Sequence, residues 1–156
     1  MPVRPVTQDD FNDLLGLMME FERQTQATLP PDQASFRAYV DTTAALSAQA
    51  LQFISPAYVT FVNADHGKLV GYISGQIKEK PNRRFRKEGY IEDFYVRAEH
   101  RGQGNGKPLF DAITKAFRES GCTHIALKTH TTNAAATKIY KHLGLKERCI
   151  EFFKPL

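Results

Sequence analysis

Tryptophan is absent from the 156 residues, and cysteine occurs only at Cys122 and Cys149. Neither cysteine stands in a CxxC pair or near a histidine at metal-ligand spacing, which excludes a zinc module and leaves both as free thiols of a reducing compartment. No apolar run approaches the roughly 20 residues that a membrane helix needs. The amino terminus, Met1-Pro2-Val3-Arg4-Pro5, leads into Asp9 and Asp10 and lacks the apolar stretch of a secretion signal. The expectation is a cytoplasmic protein without a membrane segment. Neither sign of charge dominates, with 21 Lys and Arg against 17 Asp and Glu. A net charge of +4 agrees with a polyanionic partner but does not separate a cofactor from a nucleic acid. Internal repeats and low-complexity tracts are also missing.

What is present suits one folded unit. A hydrophobic share of 42% closes a core, and the length points to a single domain over 1–156. Val3 to Val6 reads as a short strand. After Thr7, the spacing of Phe11, Leu14, Leu15, Met18 and Phe21 puts one apolar stripe on a helix. Beyond Pro30-Pro31-Asp32, Phe36, Tyr39 and Val40 begin a second helix that fades before Pro56. Tyr58 to Val62 and Leu69 to Ile77 are strands about the turn Asp65-His66-Gly67, and the charged stretch Lys78 to Glu88 reads as a loop. Tyr90 to Val96 is a fourth strand. Leu109, Ile113, Ala116 and Phe117 make a helical stripe closed by Gly121, and His124 to Thr129 is again a strand. Ala136, Ile139, Tyr140 and Leu143 form a last helix closed by Gly144, with a final strand running to Phe153. The sum is a mixed α/β (α+β) sheet of six or seven strands flanked by about four helices.

The most informative segment is Arg101-Gly102-Gln103-Gly104-Asn105-Gly106-Lys107, between a strand and a helix. Closely spaced glycines let backbone N–H groups converge, and the helix start adds unpaired donors and its positive dipole end, a combination suited to phosphate. Taken as a lone glycine pair, the segment would be only a tight turn. Two nucleotide motifs fail on it. A Walker A loop needs four residues before Gly-Lys and then Ser or Thr, whereas here three intervene and Pro108 follows Lys107. The dinucleotide fingerprint GxGxxG is also broken, because the glycines read GxGxG.

The segment resembles the acyl-CoA pyrophosphate loop of the GNAT acetyltransferases: Arg or Gln, two residues, Gly, one residue, then Gly or Ala. Arg101, Gly104 and Gly106 fill that pattern. The likeness runs from Tyr90-Ile91-Glu92-Asp93-Phe94-Tyr95-Val96 through Thr132-Asn133 to Ile139-Tyr140-Lys141-His142-Leu143-Gly144-Leu145, the second half of the chain. It implies a GNAT fold and an N-acetyltransferase that moves an acetyl group from acetyl-CoA to a primary amine by direct attack in a ternary complex. Residue by residue, it implies that backbone amides from Gly102 to Lys107 hold the pyrophosphate and that Tyr95 and Val96 pair with pantetheine. Asn133 would contact the cofactor arm, and Tyr140 would act as general acid toward the leaving thiolate. Taken alone, Tyr140 on a stripe with Ile139 and Leu143 reads as core packing. Asn105 departs from the family pattern, which has an aliphatic residue there, and Leu145 stands where Phe is commoner.

The amine needs a base, because an alkyl ammonium with a pKa of about 10 is protonated at neutral pH. Adjacent on one strand, Glu92 and Asp93 point to opposite faces unless a bulge intervenes. The polyamine acetyltransferase branch has a similar acidic pair, a likeness that makes Glu92 the base, directly or through water, and Asp93 structural; an exposed acidic edge is the plainer reading. Arg83-Arg84-Phe85-Arg86-Lys87 reads as a solvated loop, or as a border of the acceptor site; nucleic acid is not the expected partner. No histidine has metal spacing, and no metal is expected. The acceptor is a small amine or polyamine, or a peptide amine, and a homodimer is a family expectation. A non-catalytic acyl-CoA sensor, or an acetyltransferase of protein lysines or amino termini, are the alternatives.

Overall fold

The computed structural model describes residues 2–156; Met1, where the reading of the amino terminus begins, lies outside them. A five-stranded sheet in the order β1-β2-β3-β4-β5 organises the chain. Its strands are β1 (Val3–Pro5), β2 (Val59–Asp65), β3 (Lys68–Glu79), β4 (Lys87–Val96) and β5 (His124–Leu127). Every pairing is antiparallel except β4 with β5. The β2–β3 hairpin turns at His66 (φ 47°) and Gly67 (φ 81°). Two successive left-handed residues match the twist of the strands they join, as the turn cluster in the sequence anticipates.

Helices cover both faces. On one side α1 (Phe11–Thr28) and α3 (Thr42–Ile54) bury Leu14, Leu17, Met18, Leu46 and Phe53 against Val62, Tyr72 and Tyr95. On the other, α4 (Gly106–Glu119) buries Leu109, Phe110, Ile113 and Phe117 against Ile73 and Ile91. The Phe117 ring packs directly over Gly89, where a Cβ would clash with it. The helix ends at Gly121 (φ 86°), where Cys122 N–H donates back to the Phe117 carbonyl at 2.9 Å. α5 (Ala134–His142) follows β5.

Three expectations about the elements need correction. The helix expected between Phe36 and Pro56 is two: α2 (Pro31–Arg37), opened by proline at its first position, and α3, capped by the Asp41 side chain on Ala44 N–H at 2.9 Å. The charged loop shrinks to residues 80–86, because β3 and β4 run on through opposed pairs, Lys78 facing Glu88 and Glu79 facing Lys87. The final strand does not form, so the sheet has five strands instead of six or seven, with five α-helices instead of four among the described residues. Ion pairs to side chains, Glu147 with Lys141 at 3.1 Å and Arg148 with Glu88 at 3.8 Å, hold the start of that stretch.

Two irregularities of β4 position the site. β5 pairs with it only from Glu88 to Ile91, while β4 continues to Val96, so the two strands part and the outer edge of residues 92–96 is left without a strand partner. In the pairing with β3, Ser74 faces Asp93 and Gly75 faces Ile91, so Glu92 is an extra residue. That bulge breaks the alternation of side chains.

Candidate active site

A cleft of about 500 Å³ opens where β4 and β5 part. One wall is β4 from Ile91 to Val96, and the other is residues 127–130 with Asn133, Ala136 and Tyr140 of α5. α1, the end of α2 and the segment after it roof one end through Glu22, Thr25, Arg37 and Tyr39. The loop 101–106 closes the opposite end.

That loop is shaped for an anion. Gly102 (φ 71°) and Gly104 (φ 80°) adopt left-handed backbone that a side chain resists, and α4 begins at Gly106 with no side-chain cap on its first turn. Its N–H donors therefore lack intrahelical partners at the positive end of the dipole. Buried Asn105 secures the loop from below: its Nδ2 donates to the His100 carbonyl at 2.9 Å, and its own carbonyl accepts from Asn63 Nδ2 at 3.1 Å. An aliphatic residue at 105 would lose the side-chain half of this anchor. Arg101 folds back, with Nε on the Val96 carbonyl at 2.7 Å and a terminal nitrogen on Gln24 Oε1 at 2.6 Å. It braces the loop against β4 and α1.

At the other end the bulge brings both carboxylates to one face of the sheet. Tyr72 O–H, on β3, donates to Asp93 Oδ2 at 2.7 Å, and Gln76, two positions from Ser74 on that face, donates to Glu92 Oε1 at 2.8 Å. Their surroundings differ. Glu92 also lies 4.0 Å from Lys78 Nζ and is open to solvent. Asp93 is half-buried, and burial pushes its carboxyl up to about 6, against the lowering effect of the Tyr72 hydrogen bond. Burial, followed by the nearby Asp93 charge, pushes the Tyr140 phenol up to about 12. At neutral pH it is a proton donor, never a phenolate. Below Arg37, buried Glu22 accepts its guanidinium at 2.9 Å.

A model of the acetyltransferase (GNAT) family matches residues 18–145. The chain belongs to that family. This GNAT chain is 34% identical over 58 residues to the thialysine N-epsilon-acetyltransferase of Bos taurus, covering 37% of this chain and 34% of that protein. It thus spans about a third of that relative's length. Among solved structures, it superposes with a TM-score of 0.85 on the tetramutant of the BH1408 protein from Bacillus halodurans, at 21% identity and full coverage of both chains. On the aminoglycoside N-acetyltransferase AAC(6')-Iy in complex with CoA the TM-score is 0.73, at 17% identity and 99% and 100% coverage. The GNAT fold expected from the second half of the sequence is therefore that of the whole chain.

Of the residues expected at the GNAT site, Tyr140, Glu92, Tyr95, Val96, Arg101, Gly102, Gly104, Asn105, Gly106 and Asn133 line the one cleft. Gln103 and Lys107 do not. Gln103 donates to the Glu99 carbonyl at 3.0 Å, and Lys107 pairs with Asp111 one helical turn on. Asn133 caps α5 through Oδ1 on Ala136 N–H at 3.1 Å. The cleft also takes in Asp93 and Glu22 of the acidic groups, and Arg37, Tyr39 and His130, which no sequence motif marks; burial pushes the His130 imidazole down. The bulge beside Asp93 also shows in the packing, where Ile91 and Phe94 meet the same α4 face although three apart, which strict alternation forbids. Among the described residues no cluster of His, Cys, Asp and Glu fits a metal ion, and no helix is long and apolar enough to cross a membrane.

Proposed function

We propose that the protein, as one domain over 1–156, transfers an acetyl group from acetyl-CoA to a primary amine within a ternary complex. The observation that carries this is the cleft itself: the unpaired edge of β4 leads straight into a glycine loop and an uncapped helix start. A diphosphate suits the N–H donors of residues 102–107, and an amide-bearing arm suits the Tyr95–Val96 backbone as a partial strand partner. Acetyl-CoA, when bound, supplies a thioester open to attack and a thiolate that leaves. Tyr140 O–H gives that sulfur a proton or a hydrogen bond, which its raised pKa keeps available. The carboxylate pair takes the ammonium proton, and the geometry favours Asp93 as the acceptor of that proton, with solvent-open Glu92 as a neighbouring charge that holds the substrate cation.

The acceptor end supports a cationic amine. Glu22, Glu92 and Asp93 stand there; Arg37 pairs with Glu22 at 2.9 Å, Lys78 lies 4.0 Å from Glu92 and Lys128 also lines the cleft, but Asp93 has no ion-pair partner among the described residues, and the basic residues 83–87 are not part of the lining. Amines like those named in the relatives, a thialysine or an aminoglycoside, fit this charge balance. Free thiols at Cys122 and Cys149 support a cytoplasmic setting, and the exposed Ile150 and Phe152, together with the outer edge of β5 at the end of the sheet, support pairing with a second copy. Calorimetric titration with CoA, followed by thiol-release assays on a panel of diamines, polyamines, aminoglycosides and peptides, tests the proposal. Saturable CoA uptake with thiol release on a cationic amine is expected. Absence of uptake would remove the reading altogether.

A further inference from the structure

Tyr72 is a hydroxyl placed where a plain hydrocarbon would pack. The side chain is wholly buried among Leu14, Leu17, Phe53 and Val62, and it does not line the cleft. A buried hydroxyl needs a partner, and its one partner is Asp93 Oδ2 at 2.7 Å. The other oxygen, Oδ1, makes no hydrogen bond among the described residues, yet it is not among the polar atoms sealed from solvent. Because Asp93 lines the cleft, that open oxygen faces it.

We propose that Tyr72 is a positioning residue for acetyl transfer: its hydroxyl holds Oδ2 so that Oδ1 is presented to the incoming amine, and it keeps the carboxyl ionised at neutral pH. This rests on the reading of Asp93 as proton acceptor. The other groups around the carboxyl act in opposing directions. Arg37, at the end of α2, favours the charged form, whereas Glu22 of α1 and Glu92 beside it on β4 oppose it. The phenols Tyr39, Tyr58 and, on α5, Tyr140 sense its charge from the remaining sides. Among the described residues, only Tyr72 donates a hydrogen bond to it. Deleting that donor leaves the burial effect less opposed, so the carboxyl titrates at higher pH.

The test is Tyr72→Phe, with kcat/KM measured from pH 5 to 9 and the Asp93 carboxyl followed in parallel by carbon-13 NMR. We expect the acidic limb and the NMR midpoint to move up together by about one pH unit, with activity recovering at high pH and CoA affinity unchanged. A uniform loss of rate with both midpoints unmoved would mean that Tyr72 only packs, and would overturn the proposal. Asp93→Asn runs beside it. If that variant keeps the acidic limb, the reading of Asp93 as proton acceptor fails and takes this inference with it. If it loses the limb while Tyr72→Phe leaves the limb in place, only the role of Tyr72 fails.

Discussion

Replacing Asp93 by Asn should make the protein more stable and less active, and the gain in stability should depend on pH in a way the structure dictates. The carboxyl titrates at about 6 in the folded chain against an ordinary value of 3.8, with burial as the main cause. A carboxyl whose folded pKa is raised favours folding while protonated. Its contribution is complete below about pH 4 and is lost as the pH climbs through about 6. At about 1.36 kcal/mol per pH unit, that gap amounts to about 3 kcal/mol of strain carried by the ionised group at pH 8. Asparagine cannot ionise and keeps an oxygen for the Tyr72 hydroxyl. Relative to the parent, Asp93→Asn should therefore melt about 6–12 °C higher at pH 8 than the same comparison gives at pH 4, for a chain of this length. Comparing two pH values cancels any pH-independent change in packing. Calorimetric melting at the two pH values is the assay, with kcat/KM in parallel expected to fall by about 10²–10⁴-fold. Equal differences in Tm at both pH values would show that the buried charge carries no strain, and the reasoning about burial would be refuted.

If Tyr140 is the proton donor proposed for the leaving sulfur, Tyr140→Phe should lower kcat by about 10²-fold while leaving CoA affinity alone, measured by steady-state assay and calorimetry. Gly104→Val places a branched side chain at φ 80°, a strain of about 1–3 kcal/mol, although nothing lies within 4 Å of its Cβ. CoA affinity should fall about tenfold or more by calorimetry, with the far-ultraviolet spectrum unchanged. Asp10 accepts both terminal nitrogens of Arg4 at 2.7 Å, and that hydrogen bonding lowers its carboxyl to about 2. The stability this confers is present above about pH 4 and is lost as the pH falls through about 2. Asp10→Asn should cost about 1 kcal/mol in urea unfolding at pH 7, reduced from the full shift by the half-exposed Arg4, and only a small fraction of that near pH 2.

How far the sequence reveals this molecule depends on whether a feature is fixed locally. Gly102 and Gly104 are legible because left-handed backbone selects glycine, and the faces of α1 and α4 are legible because burial imposes their periodicity. The charged stretch from Lys78 to Glu88 reads as a loop because it lacks apolar alternation. There charge pairs across strands replace apolar alternation, as Lys80 with Glu88 at 3.2 Å and Lys87 with Glu79 at 3.8 Å show. Residues 146–153 have strand-forming composition, but pairing is a property of the partner edge and register, which composition does not encode. Tyr72 is hidden for the same reason. Its sequence neighbours describe a strand, and only the fold brings Asp93, 21 positions on, within 2.7 Å of its hydroxyl.

An acidic pair that suits a cationic acceptor and a basic run that would repel one look incompatible when both are read along a single stretch of sequence. The fold removes the conflict through the geometry of one strand. The basic run ends at Lys87, the first residue of β4, and the β4 part of the cleft lining starts at Ile91. Four residues of extended chain separate them by about 13 Å, beyond the roughly 8–10 Å over which exposed charges interact at physiological salt. Farther along the same strand the bulge at Glu92 turns both carboxylates to one face, and the next few residues supply the free edge that runs to the glycine loop. β4 thus grades from cationic tip to anionic acceptor end to anion-binding loop. In the proposed reaction, the order of these three regions along one strand would let a positively charged amine and a negatively charged cofactor enter one cleft from different sides, with Tyr140 in its lining.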